Sequence, residues 1–566
     1  MKLKTRLCSS LTKVLPQTAP SGAEHRAGCA LRGEHFSFQL AYCAEGFHHW
    51  ALRAEIHSPL APFISCRSVE LVPVDYPGQF FDDDYLSTLP GLYPDRLADP
   101  EEDPVWSVAG QWRAWWIEVA VPEDCPPGKY EIAVTLSAEP PALLKDRPAI
   151  RRRRTFSLEI LPLRLPEQTL TVTNWLHADC IASCYRCGIF DERHWQLLEN
   201  FFRSAAAHGV TLLLTPLFTP PLDTGIGLER PTCQLIGVSR KGGKYRFDFT
   251  RFDRWTALAQ KCGIGHFEMS HFFTQWGAEF TPKIVAETEE GEKRIFGWDV
   301  RADSPEYAEF LDAFLPALTG HLRAEGLQDK VYFHCSDEPY REHLKHYRYA
   351  AELLKKYLKG FRIMDAMSNA EFYRLGYVDQ PVPCESAVED FIAAGVPEVW
   401  TYYCCSQPTV YPNRFITMPS SRNRILGALL YRLDIRGFLH WGFNFYYTQY
   451  STGVIDPFRT TDAGGGFPGG DAFVVYPGKN GVPEDSLRHE VFREALQDQR
   501  ALQLLEHFMP RERITAMLDR ATPGGRMNMS RYPRGEAAVL ALRRKIDRLL
   551  KKYAAEQEAL HAPTLF

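Results

Sequence analysis

Val331-Tyr332-Phe333-His334-Cys335-Ser336-Asp337-Glu338-Pro339 is the stretch of this chain that decides the fold. Its apolar start predicts a buried strand, and Pro339, which lacks a backbone N–H, predicts where that strand ends. An amphipathic helix is predicted directly afterwards, because apolar residues recur at helical spacing at Leu344, Tyr347, Leu354 and Leu358. In a strand–helix repeat, catalytic groups gather where a strand ends. Asp337 and Glu338 are therefore candidate catalytic residues.

The two carboxylates are adjacent, and like charges repel, so one of them is expected to hold a proton near neutral pH. One acid and one anion form the pair that glycoside hydrolysis uses. The alternative interpretation is that the acidic pair only caps the helix that follows it.

The same strand-then-helix pattern recurs from about residue 170 onward. We predict strands at 170–177, 210–216, 265–271, 331–337, 362–368, 382–386, 399–404 and 437–441. Helices are predicted between most of them, including one that begins at Ser304-Pro305, a cap followed by a proline in the first turn. Eight strands alternating with helices predict a (β/α)8 barrel of the TIM type, in which Asp337 and Glu338 close strand four.

The first 165 residues show a different pattern, with short alternating or apolar runs separated by turn residues such as Pro126-Pro127-Gly128. This spacing predicts a β-sandwich. The chain is therefore expected to be a multidomain β plus α/β protein. The predicted domains are an N-terminal β-sandwich (1–165), a catalytic barrel (166–510) and a C-terminal helical extension (511–566).

Composition narrows the function further. The net charge of −5 provides no basic field for a nucleic acid, and no apolar stretch is long enough to span a membrane. The N-terminus lacks the apolar segment of a signal peptide, and 14 cysteines without such a signal indicate reduced thiols in the cytoplasm. Aromatic residues reach 13%, which suits stacking on sugar rings.

Several motifs in order along the chain resemble the proteins grouped as domain of unknown function 4091, whose characterised members form glycoside hydrolase family 123. The motifs are Asn174-Trp175-Leu176-His177-Ala178-Asp179, His208-Gly209-Val210, Thr215-Pro216-Leu217-Phe218-Thr219-Pro220-Pro221, Asp337-Glu338-Pro339, Pro412-Asn413-Arg414-Phe415-Ile416, His440-Trp441-Gly442-Phe443-Asn444, Gly470-Asp471-Ala472-Phe473, Val475-Tyr476-Pro477-Gly478 and Ser486-Leu487-Arg488. The chain departs from the family at Gln497-Asp498-Gln499-Arg500, where an Asp-Tyr-Glu-like triplet is usual.

The resemblance implies a β-sandwich followed by a barrel, and retaining hydrolysis of terminal β-linked 2-acetamido hexosides, typically N-acetyl-β-galactosaminides. It also implies substrate-assisted catalysis, in which the acetamido oxygen of the sugar is the nucleophile. Carried over by position, Asp337 would hold the acetamido N–H, and Glu338 would protonate the leaving oxygen and then activate water. An ionised Asp337 is expected to help keep Glu338 protonated.

Other residues at strand ends and in a glycine-rich loop are candidates for binding the carbohydrate substrate. They are Trp175, His177, Asp179, Tyr403, Trp441, Asn444 and Asp471. For the aromatic residues the alternative is packing in the barrel wall, and Asp471 could instead serve only to turn the chain.

Three alternatives for the function remain open at the level of sequence. Glu385 is the candidate nucleophile if another glycoside is cleaved through a protein carboxylate, and the chain could also be a carbohydrate-binding protein without activity. The third alternative is an iron-sulfur enzyme of the radical S-adenosylmethionine type, because Cys180, Cys184 and Cys187 have C-x3-C-x2-C spacing. We otherwise expect no metal and no cofactor. The charged C-terminal helix allows a homodimer.

Overall fold

The computed structural model describes residues 1–561, with side chains described through residue 556. The chain forms two compact units. The first comprises Met1–Gln168, Pro408–Leu433 and the chain from Glu484 onward, and the second comprises Thr169–Gln407 and Asp434–Pro483.

The N-terminal part of the first unit consists of nine strands in two sheets. They are β1 (Lys2–Ser9), β2 (Ala27–Arg32), β3 (His35–Glu45), β4 (Ala51–His57), β5 (Ile64–Val74), β6 (Gly91–Ala98), β7 (Trp112–Ala120), β8 (Gly128–Glu139) and β9 (Ile150–Arg164). One sheet has the order β1-β3-β7-β5-β6 and the other β2-β9-β8-β4. Buried side chains from both sheets, among them Phe38, Trp115 and Phe156, belong to one hydrophobic cluster. The sandwich arrangement of these sheets stays a prediction.

The remaining strands follow in chain order. They are β10 (Thr171–Asn174), β11 (Leu212–Thr215), β12 (Gly237–Lys241), β13 (Lys244–Asp248), β14 (His266–Met269), β15 (Ile284–Thr288), β16 (Gly291–Phe296), β17 (Val331–His334), β18 (Arg362–Met367), β19 (Gln380–Pro383), β20 (Trp400–Tyr402), β21 (Gly437–His440), β22 (Val475–Tyr476) and β23 (Glu484–Asp485).

Most of the helices lie between these strands, and the last three follow β23. They are α1 (Ala178–Tyr185), α2 (Glu192–Ala207), α3 (Thr250–Lys261), α4 (Pro305–Ala324), α5 (Leu344–Tyr357), α6 (Glu371–Arg374), α7 (Val388–Ala393), α8 (Ser420–Arg424), α9 (Leu426–Arg432), α10 (Leu487–Leu505), α11 (Arg511–Ala521) and α12 (Glu536–His561). Local sequence explains where several begin. Ser304 accepts a hydrogen bond from the Tyr307 amide ahead of Pro305, and Asp191 accepts one from the His194 amide, as N-cap residues do.

Eight parallel strands of the second unit form the nearly closed barrel predicted from the sequence. Barrel strands one to eight are β10, β11, β14, β17, β18, β19, β20 and β21, and each pairs in parallel with its neighbours in that order. A single parallel bridge between Cys384 and Tyr402 joins the last pair, strands six and seven. All eight predicted strands coincide with observed ones, so the TIM-like barrel is confirmed. Their short apolar runs form strands because the barrel buries them on both faces.

The loops after barrel strands two and three contain a small four-stranded sheet that the sequence analysis did not predict. Its order is β13-β12-β15-β16. Within residues 1–561, none of the helices combines the length and the apolar composition that crossing a membrane requires.

Helix α12, the charged C-terminal helix, packs within its own chain. Its apolar face, including Leu542 and Ile546, is buried. On the same side the Arg543 guanidinium binds both oxygens of Glu34 at 2.6 and 2.7 Å, and it binds Asp498 and Asp547 at 2.8 Å each. The face that the sequence left available for a partner subunit is therefore occupied inside the first unit.

Candidate active site

Asp337 and Glu338 follow barrel strand four and line a cavity in the second unit. Asp337 is buried and Glu338 half-buried. Glu338 has a φ of +43°, a left-handed conformation that costs free energy for a residue with a Cβ atom. Backbone hydrogen bonds hold this turn in place, from the Glu338 amide to the Ala366 carbonyl at 3.1 Å and from the Trp276 amide to the Asp337 carbonyl at 3.0 Å. The strand end is thus held by the loop after strand three and by strand five itself.

Much of the cavity wall is aromatic. The aromatic side chains that line it are Trp175, Trp276, Tyr402, Trp441, Tyr450 and Phe467, and the polar ones include His177, Asp223, Gln275, Ser406 and Gln449. An apolar, aromatic wall with a few polar groups is the usual composition of a small-molecule site.

The two carboxyl groups have different surroundings. The Tyr402 hydroxyl donates a 2.5 Å hydrogen bond to Glu338 Oε1. Burial raises the pKa of Glu338, and this hydrogen bond partly opposes the rise. Burial, and then the charge of Glu338, raise the pKa of Asp337 well above its usual value. The pair is therefore able to keep one proton near neutral pH, as adjacent buried carboxyl groups do.

A buried network of charged side chains, formed by Glu268, His334 and Asp365, connects barrel strands three, four and five. The ring of His334 bridges Asp365, at 2.8 Å, and Glu268. Burial alone would lower the pKa of His334, but the charge of Glu268 and the hydrogen bond to Asp365 raise it to about 10. His334 is thus an imidazolium between two carboxylates.

The two carboxylates of this network, Glu268 and Asp365, also bind neighbouring parts of the site. Glu268 accepts hydrogen bonds from the Trp175 indole N–H and the Thr173 hydroxyl, both at 2.6 Å. Asp365 accepts the backbone amides of Cys335 and Ser336 at 3.2 and 3.1 Å, as well as the Tyr347 hydroxyl. The network therefore positions Trp175 in the cavity wall and the two residues that precede Asp337.

His271 stacks on His334 with ring centroids 4.1 Å apart, and its burial holds its pKa well below the usual value. With Asp365 these two histidines form a group whose ligand atoms lie within 4.8 Å of one another, a spacing that could suit a metal ion. However, both ring nitrogens of His334 already face carboxylate oxygens. The arrangement therefore fits a network of ion pairs better than a metal centre.

The structure places five of the nine predicted site residues at the cavity: Trp175, His177, Asp337, Glu338 and Trp441. Two others support them from behind. Asp471 is buried and accepts a hydrogen bond from the Trp441 indole N–H at 3.0 Å. The Asn444 side-chain amide accepts a hydrogen bond from the His177 amide at 2.8 Å and donates one to the His177 carbonyl at 3.1 Å. They position cavity residues and are not part of the cavity lining.

Asp179 is the third predicted residue that lies behind the wall. It forms a two-bond ion pair with Arg230, at 2.6 and 2.8 Å. Arg230 also donates to His177 Nδ1 at 3.2 Å, while His177 Nε2 lies 2.9 Å from the Trp441 carbonyl. Burial and the charge of Arg230 lower the pKa of His177 to about 3, so a neutral imidazole lines the cavity.

The fourth is Tyr403, which is buried and packs its ring against Phe438 and His440. Its neighbour Tyr402 is the tyrosine that lines the cavity. Successive residues of a strand point to opposite sides, and the register places Tyr402 on the side of Glu338.

Glu385, the alternative nucleophile, is buried at the start of the 3₁₀ turn Glu385–Ala387 and is not among the residues that line this cavity. For the iron-sulfur alternative, the groups of described side chains with ligand atoms within 4.8 Å of one another do not include Cys180, Cys184 and Cys187. Burial raises the pKa of Cys184 to about 11 and holds that of Cys180 well above its usual value. The geometry thus gives neither alternative support.

Several functional candidates were missed by the sequence analysis. Glu268 and Asp365 interrupt apolar strands three and five, and a buried carboxylate in such a run is a signal that could have identified them. Tyr402 could have been found from its place at the end of strand seven. Asp223 and Gln275 lie in loops, where no sequence pattern marked them.

Comparison with known proteins agrees with this architecture. A family model described as the catalytic domain of glycoside hydrolase 123 matches residues 175–505, more than half of the chain. Among solved structures, a family 123 glycoside hydrolase from Clostridium perfringens, analysed for glycolipid glycan hydrolysis, aligns with a TM-score of 0.73 at 16% identity, covering 99% of this chain and 100% of that one. That likeness shows the fold.

A β-D-glucuronidase from Dictyoglomus thermophilum aligns at 8% identity over 87% of this chain and 97% of that one, with a TM-score of only 0.33. No curated protein matches the chain. The extent of the family match shows that this chain belongs to glycoside hydrolase family 123 and carries the catalytic domain of that family.

Proposed function

We propose that the protein hydrolyses terminal β-linked 2-acetamido hexosides, most readily N-acetyl-β-galactosaminides, with retention and with the substrate's acetamido oxygen as nucleophile. The observation that carries this proposal is the placement of Asp337 and Glu338 side by side at the end of barrel strand four, in a cavity walled by Trp175 and Trp441. Aromatic rings suit the apolar faces of a sugar.

In this proposal Glu338 is the general acid and then the general base. It lines the cavity, its pKa is raised by burial, and the hydroxyl of Tyr402 fixes one of its oxygens. A raised pKa lets a carboxyl group keep its proton at neutral pH and release it to a leaving oxygen.

Asp337 would accept the acetamido N–H and stabilise the positive charge of the oxazolinium that forms. The described residues give its carboxylate no hydrogen-bond partner, so it is available to a substrate. A hydrogen bond from the acetamido N–H would favour the Asp337 anion and move the shared proton towards Glu338.

The adjacency of the two residues supports participation by the substrate. Retaining glycosidases with a protein nucleophile place the acid and the nucleophile on opposite faces of the sugar, about 5–5.5 Å apart. Neighbouring residues in one turn are poorly suited to two faces, and Glu385 lies outside the cavity lining. The acetamido oxygen fills the missing role.

The first test is release of 4-nitrophenol from the β-N-acetylgalactosaminide, its gluco epimer and the plain β-galactoside, measured for the wild type and Glu338→Gln. Release from the acetamido sugars alone, and its loss in the variant, would support the proposal and identify the epimer. Release from the plain galactoside would refute participation, since that sugar has no acetamido group.

We also propose a cytoplasmic location, which the fourteen cysteines, all free thiols, support. The homodimer stays a prediction.

A further inference from the structure

Two polar side chains of the cavity wall have no role in the proposed mechanism. Asp223 lies in the loop after barrel strand two, and Gln275 lies in the loop after barrel strand three. Both line the same cavity as Asp337 and Glu338. Their two loops are joined at this point, since the Asp223 amide donates a 2.6 Å hydrogen bond to Gln275 Oε1.

Gln275 has an unused hydrogen-bond donor. The residue is 5% exposed, and its Nε2 is buried without a partner among the described residues. The bond from the Asp223 amide requires an oxygen at the other end of the side-chain amide, which fixes Nε2 as the donor. Buried donors in native proteins are almost always satisfied, so this one points to an acceptor that a ligand supplies.

Asp223 supplies a matching acceptor. It has a φ of +39°, and strained conformations of this kind cluster at ligand sites. The Tyr450 amide donates to its Oδ2 at 3.0 Å, and the Ser451 hydroxyl donates to its carbonyl oxygen at 2.7 Å. These bonds hold the residue in place, while its Oδ1 accepts no hydrogen bond from the described residues.

We propose that Asp223 and Gln275 form a subsite for one hydroxyl group of the bound sugar ring. The hydroxyl would donate to the Asp223 carboxylate and accept from Gln275 Nε2. A hydroxyl is both donor and acceptor, so it satisfies the two groups together, whereas an ammonium group would satisfy Asp223 but repel the amide N–H. The inference rests on the proposed function and deepens it, because the subsite would set which sugars are accepted.

Such a subsite would select among sugars, because a sugar without the matching hydroxyl binds with a loss of free energy. A sugar that lacks the hydroxyl, or carries it in the other configuration, leaves a buried donor and a carboxylate unpaired. Sites built to bind a hydroxyl therefore reject analogues without it far more strongly than apolar pockets reject a change in size.

The test is binding of monosaccharides by calorimetry to wild type and Asp223→Asn. The ligands are N-acetylgalactosamine, N-acetylglucosamine, and the 3-, 4- and 6-deoxy forms of the epimer that binds more tightly. Asparagine still accepts from the Tyr450 amide and tolerates a positive φ, but it places a second donor beside Gln275. Asp434→Asn is the matched control, because Asp434 also has a positive φ, of +56°, and is not among the residues that line the cavity.

We expect Asp223→Asn to weaken binding of the parent sugar by about 10- to 100-fold, with no change for the control. One deoxy sugar should bind poorly to the wild type and lose nothing further in the variant, which identifies the hydroxyl. Equal relative losses for all three deoxy sugars in both proteins would overturn the subsite, as would absence of sugar binding by the wild type.

Nitrophenol release measured on the same proteins separates this inference from the proposed function. Turnover with unchanged sugar discrimination in Asp223→Asn would overturn the subsite alone. The expected binding pattern without turnover of any acetamido glycoside would overturn the proposed hydrolysis and leave the subsite supported.

Discussion

At the scale of single residues, the site depends on how two neighbouring carboxyl groups come to differ. Glu338 receives a hydrogen bond from Tyr402, which favours its anion, whereas burial and the nearby negative charge of Glu338 favour a protonated Asp337. Burial raises the pKa of both groups, so either carboxyl group can hold the shared proton near neutral pH. In our proposal the acetamido N–H favours the Asp337 anion and so moves the shared proton to Glu338, as expected from the sequence.

Glu338→Gln should lose acid catalysis while keeping the size of the side chain. We expect kcat/KM to fall by about 10²- to 10⁴-fold on substrates whose leaving groups need a proton. The loss should be much smaller with a dinitrophenyl leaving group, which departs unprotonated. Kinetics across a series of aryl leaving groups measures this, and an equal loss across the series would contradict the role of general acid.

Asp337→Asn should lose rate with every leaving group, because Asp337 is proposed to act on the acetamido group. A charged hydrogen bond contributes about 1.5–3 kcal/mol, so the loss should be about 10- to 100-fold in kcat/KM. The same aryl series serves as the measurement. Wild-type activity of this variant, or a loss confined to poor leaving groups, would contradict the assignment.

At the scale of structural elements, the buried network of Glu268, His334 and Asp365 connects barrel strands three, four and five. His334→Asn removes the positive charge of this three-residue network and leaves the two buried carboxylates of Glu268 and Asp365 without a cation between them. Breaking a buried ion pair costs about 3–5 kcal/mol of unfolding free energy. Urea unfolding measures the change, with His266→Asn at the exposed start of strand three as the control.

The His334 contribution should also depend on pH with a definite sign. The pKa of His334 is raised to about 10 from its ordinary value of 6.5. Its stabilisation is therefore fully present below about pH 6.5 and is lost as the pH rises through about 10. The stability gap between wild type and His334→Asn should shrink over this window, and a gap that is constant with pH would show that His334 is not charged.

Helix α12 depends on one buried arginine in a comparable way. Arg543→Met leaves Glu34, Asp498 and Asp547 without their shared cation, and we expect a loss of about 3–5 kcal/mol of unfolding free energy. Arg548→Met, the same change at an exposed position of the same helix, should alter stability by less than about 0.5 kcal/mol. Similar effects of the two variants would contradict the view that Arg543 anchors the helix.

At the scale of the whole molecule, the pH dependence of activity reports the shared proton. The proposed mechanism needs one proton on the Asp337–Glu338 pair, and burial raises the pKa of both groups. Activity should therefore persist above about pH 4.3, the ordinary value for a glutamic acid, and fall as the pH rises through the raised second pKa. The kcat/KM profile of Glu338→Gln should lack this fall, and a wild-type fall already near pH 4.3 would contradict the raised pKa.

The sequence by itself determined the strand–helix repeat, the barrel and the strand end that carries Asp337 and Glu338. These features are encoded locally, in apolar runs, helix caps such as Ser304, and the break at Pro339. The division into two units was not encoded in this way, because the segment Pro408–Leu433 belongs to the first unit through contacts with residues far away in the sequence.

Only the tertiary structure decided which side chains face the cavity. Register placed Tyr402 at the cavity and Tyr403 in the wall. Long-range hydrogen bonds placed Asp471 behind Trp441, and a left-handed turn aimed Glu338. The loops that bring Asp223 to Gln275 are joined by a hydrogen bond between residues 52 positions apart. Local propensity determines whether a segment is a strand or a helix, but the direction of a side chain at a strand end depends on neighbours that only folding brings together.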